Sequence, residues 1–145
     1  MFKKAFVMVP AFWLFCTVVA IAADINFMPV DEFKSMLDSH KPVVIADIQK
    51  SQEFKKHYFY AAIETSAYPV KTDADKRLLD KVVDMYEKTG YPIVIVGPRG
   101  GSPSKRAYQY LLEQDVPGNK IFILKGGIKE WPYEELLIDI AGGCE

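Results

Sequence analysis

The chain has 145 residues, half of them hydrophobic and 26% charged, with a formal net charge of −1. That length suits one domain, and 18 basic against 19 acidic residues leave no basic footprint for nucleic acid. Two cysteines exclude a disulfide framework and a four-cysteine zinc site.

In chain order, the first element is a targeting segment. Residues 1–22 carry only two charges, Lys3 and Lys4, and 18 of the 22 are apolar. A basic tip, an apolar stretch and Ala20-Ile21-Ala22 as a small-x-small cleavage site read as a secretory signal, which places the protein in the periplasm or outside the cell. An uncleaved membrane anchor is the alternative, because the apolar run approaches the ~20 residues that span a bilayer. Cleavage discards Cys16 and leaves Cys144 alone in the mature chain, residues 23–145, with a net charge of −3.

Beyond the signal, β-type runs alternate with helical patterns. Residues 25–28 read as an edge strand, and 31–37 as a helix with Phe33, Met36 and Leu37 on one side. Residues 43–47 form a branched run suited to a strand buried on both faces, and 61–66 give a weaker strand signal. Residues 73–88 repeat apolar side chains every three or four positions and predict one amphipathic helix. A strand over 92–96, a helix over 105–113, a strand over 120–124 and a last helix over 133–140 complete the series. This alternation predicts one α/β domain with a mostly parallel sheet flanked by helices. Ligands in such sheets bind beyond the carboxyl ends of strands, which points to the loops after residues 47, 96 and 124.

The second loop reads Gly97-Pro98-Arg99-Gly100-Gly101-Ser102-Pro103-Ser104 and leads into a helix. Three glycines and two prolines imply a tightly turned backbone, with Ser102 or Ser104 available to cap the helix. Amides of such a loop form an anion-binding concavity, reinforced by the helix N-terminus and by the forked donor of Arg99. A plain strand-to-helix connection with Arg99 solvated is the competing reading. The lysine-serine or lysine-threonine pair of a P-loop is absent.

Three further segments resemble the rhodanese-like domain family. Asp47-Ile48-Gln49-Lys50-Ser51-Gln52-Glu53-Phe54 is similar to the family's opening, with Gln49 where arginine is usual. His57-Tyr58-Phe59-Tyr60-Ala61 resembles its His-to-Ala element. Leu124-Lys125-Gly126-Gly127-Ile128-Lys129-Glu130-Trp131-Pro132 is similar to its glycine-pair and tryptophan element. Gly126 and Gly127 permit a sharp turn, and Trp131 supplies a large core side chain. Glu53 is expected to support neighbouring loops, His57 to act as a structural hydrogen-bonding residue, and His40 to lie exposed in a loop.

The resemblance implies a three-layer domain in which a cysteine ends the central strand and accepts sulfur as a persulfide. Here Gly97 holds that position. The loop is also one residue longer than the family's usual loop, as in its phosphatase and arsenate-reductase relatives. Cys144, beside Glu145 and the terminal carboxylate, has neighbours that disfavour the thiolate. Two readings follow: a catalytically degenerate module binding a small anion (thiosulfate, sulfate or phosphate) or a protein partner, with Tyr58, Phe59, Tyr60 and Tyr68 as a recognition patch, and a sulfurtransferase acting through Cys144. Neither implies a cofactor, a metal or nucleic acid, and the membrane is involved only through the N-terminal segment.

Overall fold

The structure, a computed structural model, describes residues 24–140; the expected signal segment with Cys16, and the tail with Cys144, lie outside the described residues. The most apolar runs form the middle of the sheet. Strands β1 (Phe27–Met28), β2 (Val44–Asp47), β4 (Ile63–Glu64), β5 (Ile93–Val96) and β6 (Ile121–Leu124) assemble in the order β1-β6-β5-β2-β4, every neighbouring pair parallel.

Because side chains alternate across a strand, each central strand feeds two cores. Val44, Ala46, Ile93, Ile95, Ile121 and Ile123 pack on one face, against helices α4 (Asp80–Thr89) and α5 (Ser102–Glu113). Ile45, Val94, Val96 and Leu124 pack on the other, against α1 (Val30–Asp38) through Phe33, and against Phe59 and Trp131. Burying each such side chain contributes roughly 1.5–3 kcal/mol, so the double-sided strands fix the three-layer plan. A short helix, α2 (Ser51–Phe54), follows β2, and none of the expected elements covered it.

Two expected helices take a different form. The pattern over 73–88 divides into α3 (Asp73–Arg77) and α4. Thr72 and Asp75 close a capping box at the start of α3, and the amides of Leu78 and Leu79 bond only three residues back, to Asp75 and Lys76. The tightened turn buries Leu79 completely and leaves Leu78 outside.

Residues 133–140 do not form a helix. A 3-10 turn, Glu134–Leu136, runs into β7 (Leu137–Ile138), which pairs antiparallel with β3 (Tyr58–Phe59). Leu136 and Leu137, adjacent in sequence, both pack on the aromatic core, and the ladder to β3 satisfies backbone groups that a helix would have bonded internally. Phe59 is thereby buried while Tyr60 is 81% exposed, so the aromatic run 58–60 is not one surface patch.

Candidate functional site

The carboxyl ends of β2, β5 and β6 lie side by side, and the three loops that follow them meet there. The loop after β5 is gripped through its backbone. Gly97 and Pro98 offer their carbonyls to the amides of Ile128 (2.9 Å) and Lys129 (3.1 Å). Gly100, at φ +65°, packs on the Leu124 carbonyl, where a Cβ would come within 2.7 Å. Gly127, at φ +59°, packs against the Gly97 carbonyl and the amides of Arg99 and Gly100; a Cβ there would lie 2.6 and 2.8 Å from those two nitrogens. The glycines of the two loops therefore interlock backbone to backbone, which explains their pairing in the sequence.

Trp131 fixes the far end of the second loop. It is buried, meets Phe33 and Phe59 edge-on at centroid distances of 5.7 and 4.8 Å, and donates from Nε1 to the Tyr133 carbonyl at 2.8 Å.

The expected serine caps are not formed. Gly101 is the N-cap of α5 with no side-chain bond, so Ser102 and Pro103 occupy the first helical positions. Ser102 is exposed. Ser104 is buried and points back at Gly97, its Oγ inside the space that a Cβ on residue 97 would take. Among the described residues it is the buried side-chain polar atom without a hydrogen-bond partner. With Tyr68, Pro98, Arg99, Gly101 and Pro103 it lines a cleft of about 430 Å³. Arg99 is exposed and also borders a second cleft of about 490 Å³, with Phe27, Gly100, Lys125, Gly126 and Glu130 on the other side of the loop.

β2, paired in parallel with β5, ends at Asp47. Asp47 is fully buried, and its carboxylate accepts from the Gln49 amide (2.8 Å) and from Gln49 Nε2 (3.0 Å). Gln49 Nε2 also donates to the His57 carbonyl at 3.1 Å, so a neutral amide clamps the turn where the family resemblance leads one to expect arginine. Desolvation pushes the Asp47 carboxyl up to about 6, against the two bonds from Gln49, and Glu64 in register on β4 adds to the rise. Between them, Ile48 donates its amide to Val96 (2.9 Å), accepts from the Tyr68 amide (3.0 Å), and packs its side chain under Gly97.

Glu53 and His57 do less than expected. Glu53 is exposed, and its Oε1 accepts from Lys56 Nζ one turn on, not from a neighbouring loop. The His57 side chain is exposed, and the residue enters the network through its backbone carbonyl. His40 is exposed after α1, as expected.

Arg106 carries a role no local signal announces. Its Nε and Nη2 donate to the Pro69 and Val70 carbonyls at 2.8–3.2 Å, fixing the segment behind Tyr68. Such a contact spans 36 or 37 residues and leaves no short-range pattern. Among the described residues no three His, Cys, Asp or Glu side chains gather to hold a metal ion, and no helix is long and apolar enough to cross a membrane.

Comparisons with known proteins agree with this geometry. A rhodanese-like domain family model matches residues 29–134. No curated protein matches the sequence. Among solved structures, a rhodanese-like domain protein from Staphylococcus aureus is 21% identical with a TM-score of 0.59, covering 79% of this chain and 98% of that one. The As–Sb reductase of Leishmania major is 12% identical with a TM-score of 0.60, covering 80% and 86%. A yeast protein tyrosine phosphatase of the rhodanese family is 12% identical with a TM-score of 0.57, covering 78% and 90%. At these identities the structures share the fold alone, but the family model spans most of the chain and takes in all three strand-end loops, so the chain belongs to the rhodanese-like domain family.

Proposed function

We propose that the protein is an exported, non-catalytic rhodanese-like module that holds a small anion on the 97–104 loop. The observation that carries this reading is the pairing of a fully braced loop with an unarmed one. The Gly97 and Pro98 carbonyls and Gly100 are held by the 124–129 turn, while residue 97 has no side chain and Ser104 Oγ crowds its place. No cysteine lies between residues 24 and 140. What the loop retains is an anion seat: the N-terminus of a 12-residue helix and the exposed guanidinium of Arg99 beside the cleft.

Export rests on residues 1–22 and is tested by sequencing the N-terminus of the secreted or periplasmic protein. Anion binding is tested by following amide NMR shifts as thiosulfate or phosphate is added. Shifts confined to residues 97–104 and Tyr68 are expected, and none at millimolar anion overturns the reading. A thiosulfate–cyanide assay is run in parallel on wild type and Cys144→Ala. Inert proteins are expected; activity that vanishes with Cys144 replaces this reading with sulfur transfer.

A further inference from the structure

Independently of the anion seat, we infer that the outer edge of β1 is a docking site for an extended acidic segment of a partner protein, added to the sheet as a further strand. β1 lies at one margin of the sheet and pairs with β6 alone. The carbonyls of Asn26 and Met28 accept from the amides of Ile123 (2.8 Å) and Lys125 (3.0 Å). Phe27, between them, therefore turns its own N–H and C=O to the open side, the pair of groups from which an added strand begins its ladder.

The opposite margin is built differently. Thr65 donates its amide to the Asp47 carbonyl on β2 at 2.9 Å, so the carbonyl of Glu64 before it faces outward from β4. Lys81 Nζ, from α4, donates to that carbonyl. A lysine thus guards one edge, a recurrent way of blocking strand addition. At the other edge stands Phe27, an aromatic ring 43% exposed. With Pro29, Arg99, Lys125 and Glu130 it borders the open cleft of about 490 Å³, which leaves room for side chains of an added strand.

Charge selects the occupant. Arg99 and Lys125 line the cleft, and Lys105 Nζ stands 6.0 Å from the Phe27 ring centroid; all three are exposed, and Glu130 is the carboxylate of the lining. The chain as a whole carries −1, so this margin is basic against the average. A second copy paired through β1 about a two-fold axis sets the same cations against each other. Residues 1–22 bring only two further cations, Lys3 and Lys4. A bilayer offers negative charge but no backbone to bond the N–H and C=O of Phe27. An acidic extended segment supplies both.

A capped heptapeptide of alternating valine and glutamate, added to the purified protein and followed by amide NMR and amide exchange, tests this. Saturable shifts at Phe27, Met28, Lys105 and Lys125 are expected, with slowed exchange of the Phe27 amide and weaker binding as salt rises. The same peptide with a methylated backbone, or with lysine for glutamate, should bind at least tenfold more weakly. Phe27→Ala and Lys125→Glu should each weaken binding about tenfold, and Lys88→Glu, on α4, should leave it unchanged. Equal binding of the methylated peptide, shifts confined to residues 97–104, or no binding at millimolar peptide overturns the inference. So does a preference for phosphatidylglycerol vesicles, which assigns the edge to a membrane. A dimer in sedimentation that Phe27→Ala abolishes also overturns it, and assigns the edge to a second copy.

Discussion

The turn after β6 and the loop after β5 press against one another at the same sheet edge, yet different properties hold each in place. The turn is specified by residue identity. Gly126 and Gly127 adopt φ of +76° and +59°, and Trp131 is locked among aromatic rings. The loop is specified by identity at one point, Gly100 at φ +65° against the Leu124 carbonyl, and elsewhere by being held: its carbonyls bond the turn, and its own residue 97 contributes no side chain. The β2 turn sits between these cases, keeping the buried carboxylate of Asp47 with Gln49 as its clamp. Groups that shape backbone space thus stand as the family resemblance leads one to expect, while Gly97 and Gln49 do not.

The largest break in this contrast is expected from the turn. Trp131→Ala removes a side chain in edge contact with Phe33, Phe59 and Tyr133 and should destabilise by about 3–5 kcal/mol in urea unfolding. A loss below about 1 kcal/mol would mean that the backbone bonds, not the aromatic cluster, hold the turn.

Asp47 comes next. Its carboxyl is raised from 3.8 to about 6, so the folded chain holds that proton more tightly than the unfolded one. The stabilisation is complete below about pH 4, fades as pH rises to about 6 and is flat above. At 1.36 kcal/mol per pKa unit it amounts to about 3 kcal/mol. Asp47→Asn should flatten this part of the curve of unfolding free energy against pH. An unchanged slope would assign the titration to another group.

Much of this architecture is legible in the sequence because its signals are local. Apart from Asp47 and Lys120 at their ends, the runs at 43–47, 92–96 and 120–124 are apolar, as strands buried on both faces must be, and each appears within a residue of its expected bounds. The glycine pair and Trp131 mark the turn for similarly local reasons. Short-range patterns fail where a distant partner decides. Residues 137–138 extend because β3 lies beside them, and Ser104 is buried because Gly97 leaves it room. Gln49 shows as a substitution in the sequence, but its clamp appears only once the His57 carbonyl is beside it.

The glycines divide the same way and give a smaller effect. Gly127→Ala drives a Cβ into the Gly97 carbonyl and the Arg99 and Gly100 amides at positive φ, and should destabilise by about 2–3 kcal/mol. Gly101→Ala, at φ −93° with nothing within 4 Å of the new Cβ, should stay within about 0.5 kcal/mol. Equal losses at the two positions would erase the distinction between a glycine that the interlock requires and one that it does not.

The finest test addresses residue 97 itself. Gly97→Cys places a Cβ against Ser104 Oγ, a movable side-chain tip, so the hydroxyl must swing aside at a cost of about 1 kcal/mol. Ser104→Ala removes a buried hydroxyl that has no partner to lose and should be close to neutral. If the two residues share one space, the double variant recovers most of the cysteine's cost, and a double-mutant cycle shows coupling of about 0.5–1 kcal/mol. Strict additivity would mean that Ser104 does not occupy the space of a side chain at residue 97. With coupling, the two positions act as one: glycine at 97 leaves the space and serine at 104 fills it from α5.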